Sequence, residues 1–498
     1  MMHGPEKSDL PIVPAKLANK AGAPAAEQVE GRGGVDGNAG GQSTVRTQSR
    51  AAVSQAQARI REAVDRNRKE KLTALLHHVS VDILRAAFFA LKRRAAPGVD
   101  AMTWDAYAEE CEDHLVALHA RLHSGAYRAL PSRRTYIPKA DGKQRPLGIA
   151  ALEDKIVQAA VVMILTPIYE AEFLGFSYGF RPGRGQHDAL DALAYGIKGR
   201  NVRWILDADI RSFFDTINHE WLVRFLEHRI GDQRIIRLVR KWLTAGVLDK
   251  GRTVATEEGT PQGAVISPLL ANLYLHYVYD LWVEAWRRRN ATGDMIVVRY
   301  ADDTIVGFQH QKDAERFLAD LKERIAKFAL ELHPDKTRLI AFGRFVAEQR
   351  RARGESRPET FDFLGFTHIC GAKRKGGGFQ LLRKTRRRSR WGAIRKIGEK
   401  LRQMRHEPID EQGRKLAGML DGHYAYFAVP TNIDAVRSVR HHAKVRWYLS
   451  LRRRSQRRSL TWRRMNVIVE KYLPLPRVQH PWPDRRFLVK HRRQEPDA

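Results

Sequence analysis

Two short apolar runs, VRWILDADI (202–210) and MIVVRYADDTIVGF (295–308), constrain this chain most tightly, because each delivers aspartates at or beside its end. Runs of this length, rich in Val, Ile, Leu and aromatics, read as strands. Asp209 then closes one strand, while Asp302 and Asp303 lie in a strand turn. Apolar flanks would hold these acids rigidly together, and adjacent acids there would repel unless a metal bound. A YADD tetrapeptide alone is a weak signal, since two acids at a hairpin tip are ordinary turn residues. It strengthens because a Gly/Pro turn, GTPQGAVISP (259–268), lies between the two runs.

Three carboxylates in that order suit a particular chemistry. Nucleotidyl transfer uses two divalent cations about 3.5–4 Å apart, one activating the attacking 3′-hydroxyl and one neutralising the triphosphate and leaving group. Hard Mg²⁺ selects carboxylate oxygens for this work. The charge balance agrees: 88 Lys+Arg against 56 Asp+Glu leave a net charge of +32 over 498 residues. Such an excess needs an anionic partner, and nucleic acid is the default, although ribosomal proteins, basic tails and membrane-surface proteins share it. The cysteines, Cys111 and Cys370, are too few and too far apart for a disulfide framework or a zinc ribbon, and read as buried, reduced thiols. Neither an apolar leader nor a run of about 18 apolar residues occurs. A soluble, cytoplasmic chain with no membrane partner is expected.

The composition divides the chain. Residues 1–55, rich in Gly, Ala, Gln and Ser, read as a disordered leader. Helical spacing begins near Ala58, and residues 56–130 read as a helical extension with one amphipathic helix over Trp104 to His123. RRTYIPKADGKQRPLGI reads as a basic hairpin turning at Asp141 and Gly142. An all-round apolar helix follows over DKIVQAAVVMILTPIYEAEF. The loop GFSYGFRPGRG is expected to bring Arg181 and Arg184 to the surface. Helices are expected from about His219 to Ala245, from Leu269 to Arg289 and from Lys312 to Ala329, with a short strand at FDFLGF. From Arg383 the helices carry Arg/Lys faces and form a separate basic domain to residue 475. Residues 476–498 read as an extended basic, Pro-rich tail. The pairs His77/His78 and His441/His442 lack metal-site spacing and receive no catalytic role.

ILDADIRSFFD, GTPQGAVISPLLANLYL and VRYADDTIVGF resemble, in order and spacing, motifs A, B and C of reverse transcriptases. The resemblance continues through IPKADGKQRPLGI, YGFRPGRGQHDAL, LELHPDKTRLIAFGR and FDFLGF, covering roughly residues 70–370. RKTRRRSRWGAIRKIGEKL and LAGMLDGHYAYFAVP resemble the maturase domain of group II intron-encoded proteins. The resemblance implies an α+β right-hand polymerase. Reverse-transcriptase fingers and palm would occupy residues 131–370, and an α-helical thumb/maturase domain residues 383–475.

Carried over, the resemblance makes Asp209, Asp302, Asp303 and the Ile210 carbonyl ligands of two Mg²⁺ ions. Asp207 becomes a bystander and Asp215 a helix N-terminal acid. Lys336 would protonate the leaving pyrophosphate, with an ordinary surface lysine as the equal alternative. Lys139 and Arg145 would clamp a deoxynucleoside triphosphate and Gln262 would touch the nascent pair. Phe214, five positions beyond Asp209, would lie under the sugar and exclude a 2′-hydroxyl, unless it is a core ring beside Phe213. Arg181, Arg184, Arg386, Arg387, Arg388 and Lys396 would bind RNA. Trp391, Tyr424, Tyr426, Trp447 and Trp462 would stack on RNA or fill helix core.

The implied activity is RNA-directed DNA synthesis coupled to binding the parent group II intron RNA, which assists splicing and mobility. RNA template and DNA primer or target are the further partners, and the sequence permits a homodimer without requiring one. Two departures stand out: Ala101 replaces a common Gly, and no Cys-bearing endonuclease module follows the thumb. Such a member would need another primer, such as a nascent strand at a replication fork. The rivals are a splicing-only maturase, which intact carboxylates oppose, and a stand-alone bacterial reverse transcriptase of retron, diversity-generating or phage-defence type, which the basic segment 383–475 opposes.

Overall fold

Side chains alternate across a strand, so a strand apolar at every position must be covered on both faces. The computed structural model shows this for the strands that carry the acids. It describes residues 43–66, 70–138, 144–249, 251–255, 258–260, 262–373, 376–454 and 460–491. In chain order the strands are β1 (Ser132–Pro138), β2 (Gln144–Ile149), β3 (Trp204–Ala208), β4 (Val247–Asp249), β5 (Arg252–Val254), β6 (Met295–Tyr300), β7 (Asp303–Phe308), β8 (Arg338–Ala341), β9 (Phe361–Phe363), β10 (Phe366–Ala372) and β11 (Phe379–Thr385). They form three sheets, ordered β2-β1-β4-β5, β6-β7-β3-β8 and β11-β10-β9.

The β6-β7-β3-β8 sheet is antiparallel throughout. Leu206, Val297 and Val306 point into a core shared with helices from the first 290 residues, including Leu152–Glu170 and Ser267–Leu275. Their neighbours Ile205, Val298 and Ile305 point the opposite way, into a second core. That second core also takes the helix Gln186–Gly199 and the helices Arg387–Gln403, Ile409–Phe427, Ile433–Arg452 and Trp462–Tyr472. The chain is therefore mixed α/β, with the acid-bearing sheet sandwiched between two bodies of helix.

Several expected elements are present with altered bounds. The helix Leu152–Glu170 is buried on nearly every face. The stretch near His219–Ala245 is two helices, His219–Arg229 and Gln233–Thr244. Asp232 caps the second, and its other carboxylate oxygen accepts from Leu75 N and Leu76 N at 2.9 Å each, tying it to the N-terminal region. The expected helix over Trp104–His123 is split into Trp104–Glu109 and Cys111–His123. Among the described residues no helix is long and apolar enough to cross a membrane. Cys370 is buried and Cys111 partly so; both are free thiols, pushed up to about 11 chiefly by burial.

Both chain ends differ from expectation. Of the leader read as disordered to residue 55, residues 1–42 lie outside the described residues and the rest begins a helix, Ser43–Arg66, whose Ile60 and Val64 enter the first core. Apolar residues spaced three to four apart along Val53–Val64 are enough to dock it despite a polar composition. The tail read as extended contains the helix Pro483–His491, packed on Gln186–Gly199. Phe487 stacks on Tyr195 with centroids 4.5 Å apart. The buried carboxylate of Asp191 takes both Arg486 and, at 2.9 Å, Arg383.

Ala101 adopts φ 54°, a left-handed conformation that costs an L-residue about 1–2 kcal/mol. Glycine would relieve that strain while losing some chain entropy. Ala101→Gly is therefore expected to stabilise the fold by roughly 0.5–1 kcal/mol, read as a raised urea midpoint at unchanged m. A lowered midpoint would refute the strain argument.

Candidate active site

The acids meet at one end of the central sheet. β3 pairs with β7 so that Ala208 faces Thr304, and one further step brings Asp209 opposite Asp303. β6 and β7 form a tight hairpin in which Tyr300 pairs with Asp303, leaving Ala301 and Asp302 as the two-residue turn. Ala301 has φ 55°, as such a turn demands. The strand register thus brings Asp209, Asp302 and Asp303 to the same end of the sheet.

Beyond β3 the chain bridges Ile210 to Leu332. His333 N donates to the Asp209 carbonyl and Arg211 N to the Glu331 carbonyl, each at 2.8 Å. In this pairing the Ile210 carbonyl is directed away from Leu332. The same bridge brings in Lys336, whose Nζ donates to Asp209 Oδ2 at 2.8 Å. Among the described residues no group of three or more His, Cys, Asp or Glu side chains is gathered closely enough to hold a metal. Chemically the donors suit a hard cation, being carboxylate and carbonyl oxygens. Asp207, on β3 opposite Arg338, is pushed up to about 7, first by burial and partly offset by Arg338.

The turn is anchored by a residue that motif reading passed over. Arg299, 1% exposed, sits in the middle of an apolar strand. It donates to both oxygens of the fully buried Asp280 at 2.6 and 2.5 Å, to Asn272 Oδ1 at 3.1 Å and to the Ala301 carbonyl at 2.9 Å. Asp280 reaches it from a π turn, His276–Asp280, inside the long helical segment. Asn272 also donates to the Gly179 carbonyl at 2.7 Å. A Cβ on Gly179 would stand 2.2 Å from Ala301 N. A charge inside each of two apolar segments was the available signal, since such charges persist only when paired.

A second network joins the β1-β2 hairpin to Asp215. Arg145 Nε donates to Gln262 Oε1 at 2.7 Å, and Gln262 Nε2 donates to Asp215 Oδ1 at 3.1 Å. Asp215 lies in the first turn of the short helix Phe213–Thr216, the helix-terminal position expected. Thr260 N donates to the Phe214 carbonyl at 2.8 Å. Gly259, at φ 81°, lies so close that a Cβ would meet the Phe214 and Asp215 carbonyls at 2.9 Å. Phe213 is buried, whereas Phe214 is half-buried and packs against the first core. Lys139 and the turn at Asp141 and Gly142 lie outside the described residues.

The expected RNA contacts divide sharply. Arg181 is not a surface residue: it is 5% exposed, paired with Glu170 at 3.0 Å, and donates to the Leu174 and Ser177 carbonyls at 2.7 and 2.9 Å. The loop folds over it because its own carbonyls need donors. Arg184 is half-buried over the Tyr178 ring. Arg386 is half-buried, with Nε lacking a hydrogen-bond partner among the described residues. Arg387, Arg388 and Lys396 are exposed on one helix. Of the aromatics, Tyr424 and Trp447 are core and Tyr426 is half-buried, whereas Trp391 and Trp462 are each 44% exposed.

Residues 137–368 match the family described as reverse transcriptase (RNA-dependent DNA polymerase). The chain is 34% identical over 317 residues to Protein YkfC of Escherichia coli, an alignment covering 55% of this chain and 82% of that protein. It is 37% identical over 226 residues to the group II intron-encoded protein LtrA of Lactococcus lactis, covering 44% of this chain and 37% of the relative. A protein in the cob intron of Schizosaccharomyces pombe is 38% identical over 211 residues, which is 26% of its length. Apart from YkfC, the alignment thus spans well under half of these relatives.

Proposed function

We propose, for a chain that belongs to the reverse-transcriptase family in its group II intron-encoded branch, RNA-directed DNA synthesis together with binding of its intron RNA to assist splicing and mobility. The observation that carries this reading is the strand register that brings Asp209, Asp302 and Asp303 to the same end of the central sheet. In this reading residues 131–370 are fingers and palm, and the helices after Arg383 are the thumb.

Asp209, Asp302 and the Ile210 carbonyl, with Asp303 alongside, would hold two Mg²⁺ ions, which supply activation of the 3′-hydroxyl and neutralise triphosphate charge. Lys139 and Arg145 bind the triphosphate, Gln262 lies against the nascent pair, and Lys336 delivers a proton to pyrophosphate. Its hydrogen bond to Asp209 Oδ2 at 2.8 Å supports that reading. Arg387, Arg388 and Lys396 supply exposed cations for RNA phosphates, while the burial of Arg181 removes it from that role.

Primer extension on an RNA template with Mg²⁺ and deoxynucleotides, run beside splicing of the flanking intron RNA, tests both halves. Splicing assistance without extension would leave a splicing-only protein. Extension without any effect on splicing would leave a stand-alone polymerase. Phe214→Val, which opens space under the sugar, is expected to raise ribonucleotide use relative to deoxynucleotide use by about 10–100-fold. An unchanged ratio would remove Phe214 from the sugar site.

A further inference from the structure

The geometry points to Asp215 as a positioning residue that fixes the Gln262 side-chain amide for nucleotide binding, an inference that rests on the polymerase reading. An amide is polar along its own width, with an acceptor oxygen on one side and a donor nitrogen on the other, so its neighbours decide which way it faces. Here the neighbours leave one choice. Arg145 can only donate, and it donates to Gln262 Oε1 at 2.7 Å. Asp215 as a carboxylate can only accept, and it accepts from Nε2 at 3.1 Å. Turning the amide over would set its nitrogen against a guanidinium and its oxygen against a carboxylate.

The carboxylate is itself held in place. Asp215 N donates to the Ser212 carbonyl at 2.7 Å, from a Ser212 at φ 48°. Gly259 and Thr260 close on the Phe214 and Asp215 backbone as described. Gly259 N donates to the Ile217 carbonyl at 2.8 Å, and the His219 ring pairs with the Gly259 carbonyl at 2.6 Å. Gly263, at φ 106°, packs against the Gly148 carbonyl, which a Cβ would meet at 2.8 Å, and Gly148 N donates to the Gln262 carbonyl at 2.7 Å. Gln262 is thus fixed by its backbone to β2 and by its side chain to Asp215. Asp215 follows Phe214 directly, so the sugar-facing ring, the amide and Arg145 form one connected unit. The role follows from this: acting through Gln262, Asp215 sets the face of the amide that a nucleotide meets and steadies the guanidinium behind it.

The test is single-nucleotide incorporation on an RNA template by the full chain, comparing wild type, Asp215→Ala, Asp215→Asn, Gln262→Ala and the double Asp215→Ala/Gln262→Ala. Asp215→Ala is expected to raise KM for the deoxynucleotide about 10-fold with kcat changed less than about 3-fold. An asparagine side chain still offers an acceptor oxygen, so Asp215→Asn is expected to stay within about 3-fold of wild type. With Gln262 already truncated, Asp215→Ala should cost nothing more, because its effect acts through that amide. Effects that multiply in the double variant, or an Asp215→Asn as impaired as Asp215→Ala, overturn the proposal while the polymerase reading stands. If wild type incorporates nothing, the polymerase reading fails instead. The hydrogen bond is then judged by melting alone. Each single variant should drop the midpoint on the order of 1–2 °C with no further drop in the double, and additive drops overturn the bond itself.

Discussion

Asp302→Ala is expected to lower primer extension on an RNA template by about 1,000-fold or more, because a lost metal ligand removes several kcal/mol of transition-state stabilisation and each 1.4 kcal/mol is a factor of ten. The fold should be spared. Asp302 is one of two residues in a hairpin turn whose geometry is set by Ala301 and by the Tyr300 and Asp303 pairing, which the substitution leaves in place. Binding of the intron RNA should also survive, since the exposed cations Arg387, Arg388 and Lys396 belong to a helix of the second core. Extension and filter binding measured on one preparation check both statements. Retained extension would show that Asp302 holds no essential metal; joint loss of both activities with a lowered melting point would show that the turn itself collapsed.

The second large effect is on stability. Arg299→Leu leaves the carboxylate of Asp280, which is 0% exposed, without its cation, and removal of one partner from a buried pair costs about 3–5 kcal/mol. Urea denaturation should show the loss as a lowered midpoint. The double variant Arg299→Leu/Asp280→Leu separates charge from geometry. With both charges gone, most of the stability should return, because a buried pair replaced by apolar residues is often neutral. Extension should not return with it. Arg299 also donates to the Ala301 carbonyl and to Asn272, which holds Gly179 against the turn, and leucine offers neither bond. A double variant that regains full extension would show that the acids are placed without Arg299.

The strand ends, the order of motifs and the acids Asp209, Asp302 and Asp303 were legible because each depends on local pattern: apolar runs, a tight turn and acids at the boundary. Phe214 was assigned by its register alone, and the structure leaves it half-buried against the first core. What the sequence could not disclose was partner choice in three dimensions. Arg181 resembled any loop arginine, yet Glu170 and the carbonyls of Phe173, Leu174 and Ser177 enclose it. Arg299 and Asp280 looked like interruptions in apolar segments, and only their meeting explains them. Helix bounds failed where tertiary contacts decide them, as with the N-terminal helix that docks through Ile60 and Val64 and the terminal helix that docks through Phe487 and Arg486.

The two-sided burial of the central sheet also sets a schedule for synthesis. The last of its four strands, β8, ends at Ala341, and the first core is complete by Leu332. The opposite face, with Ile205, Val298, Ile305 and Ile340, is covered by residues that extend to Leu473. At 5–20 residues per second a ribosome needs roughly 7–25 s to make that stretch. Over that interval the opposite face, already carrying the helix Gln186–Gly199, gains the rest of its cover, so the nascent chain exposes more apolar sheet than the finished protein.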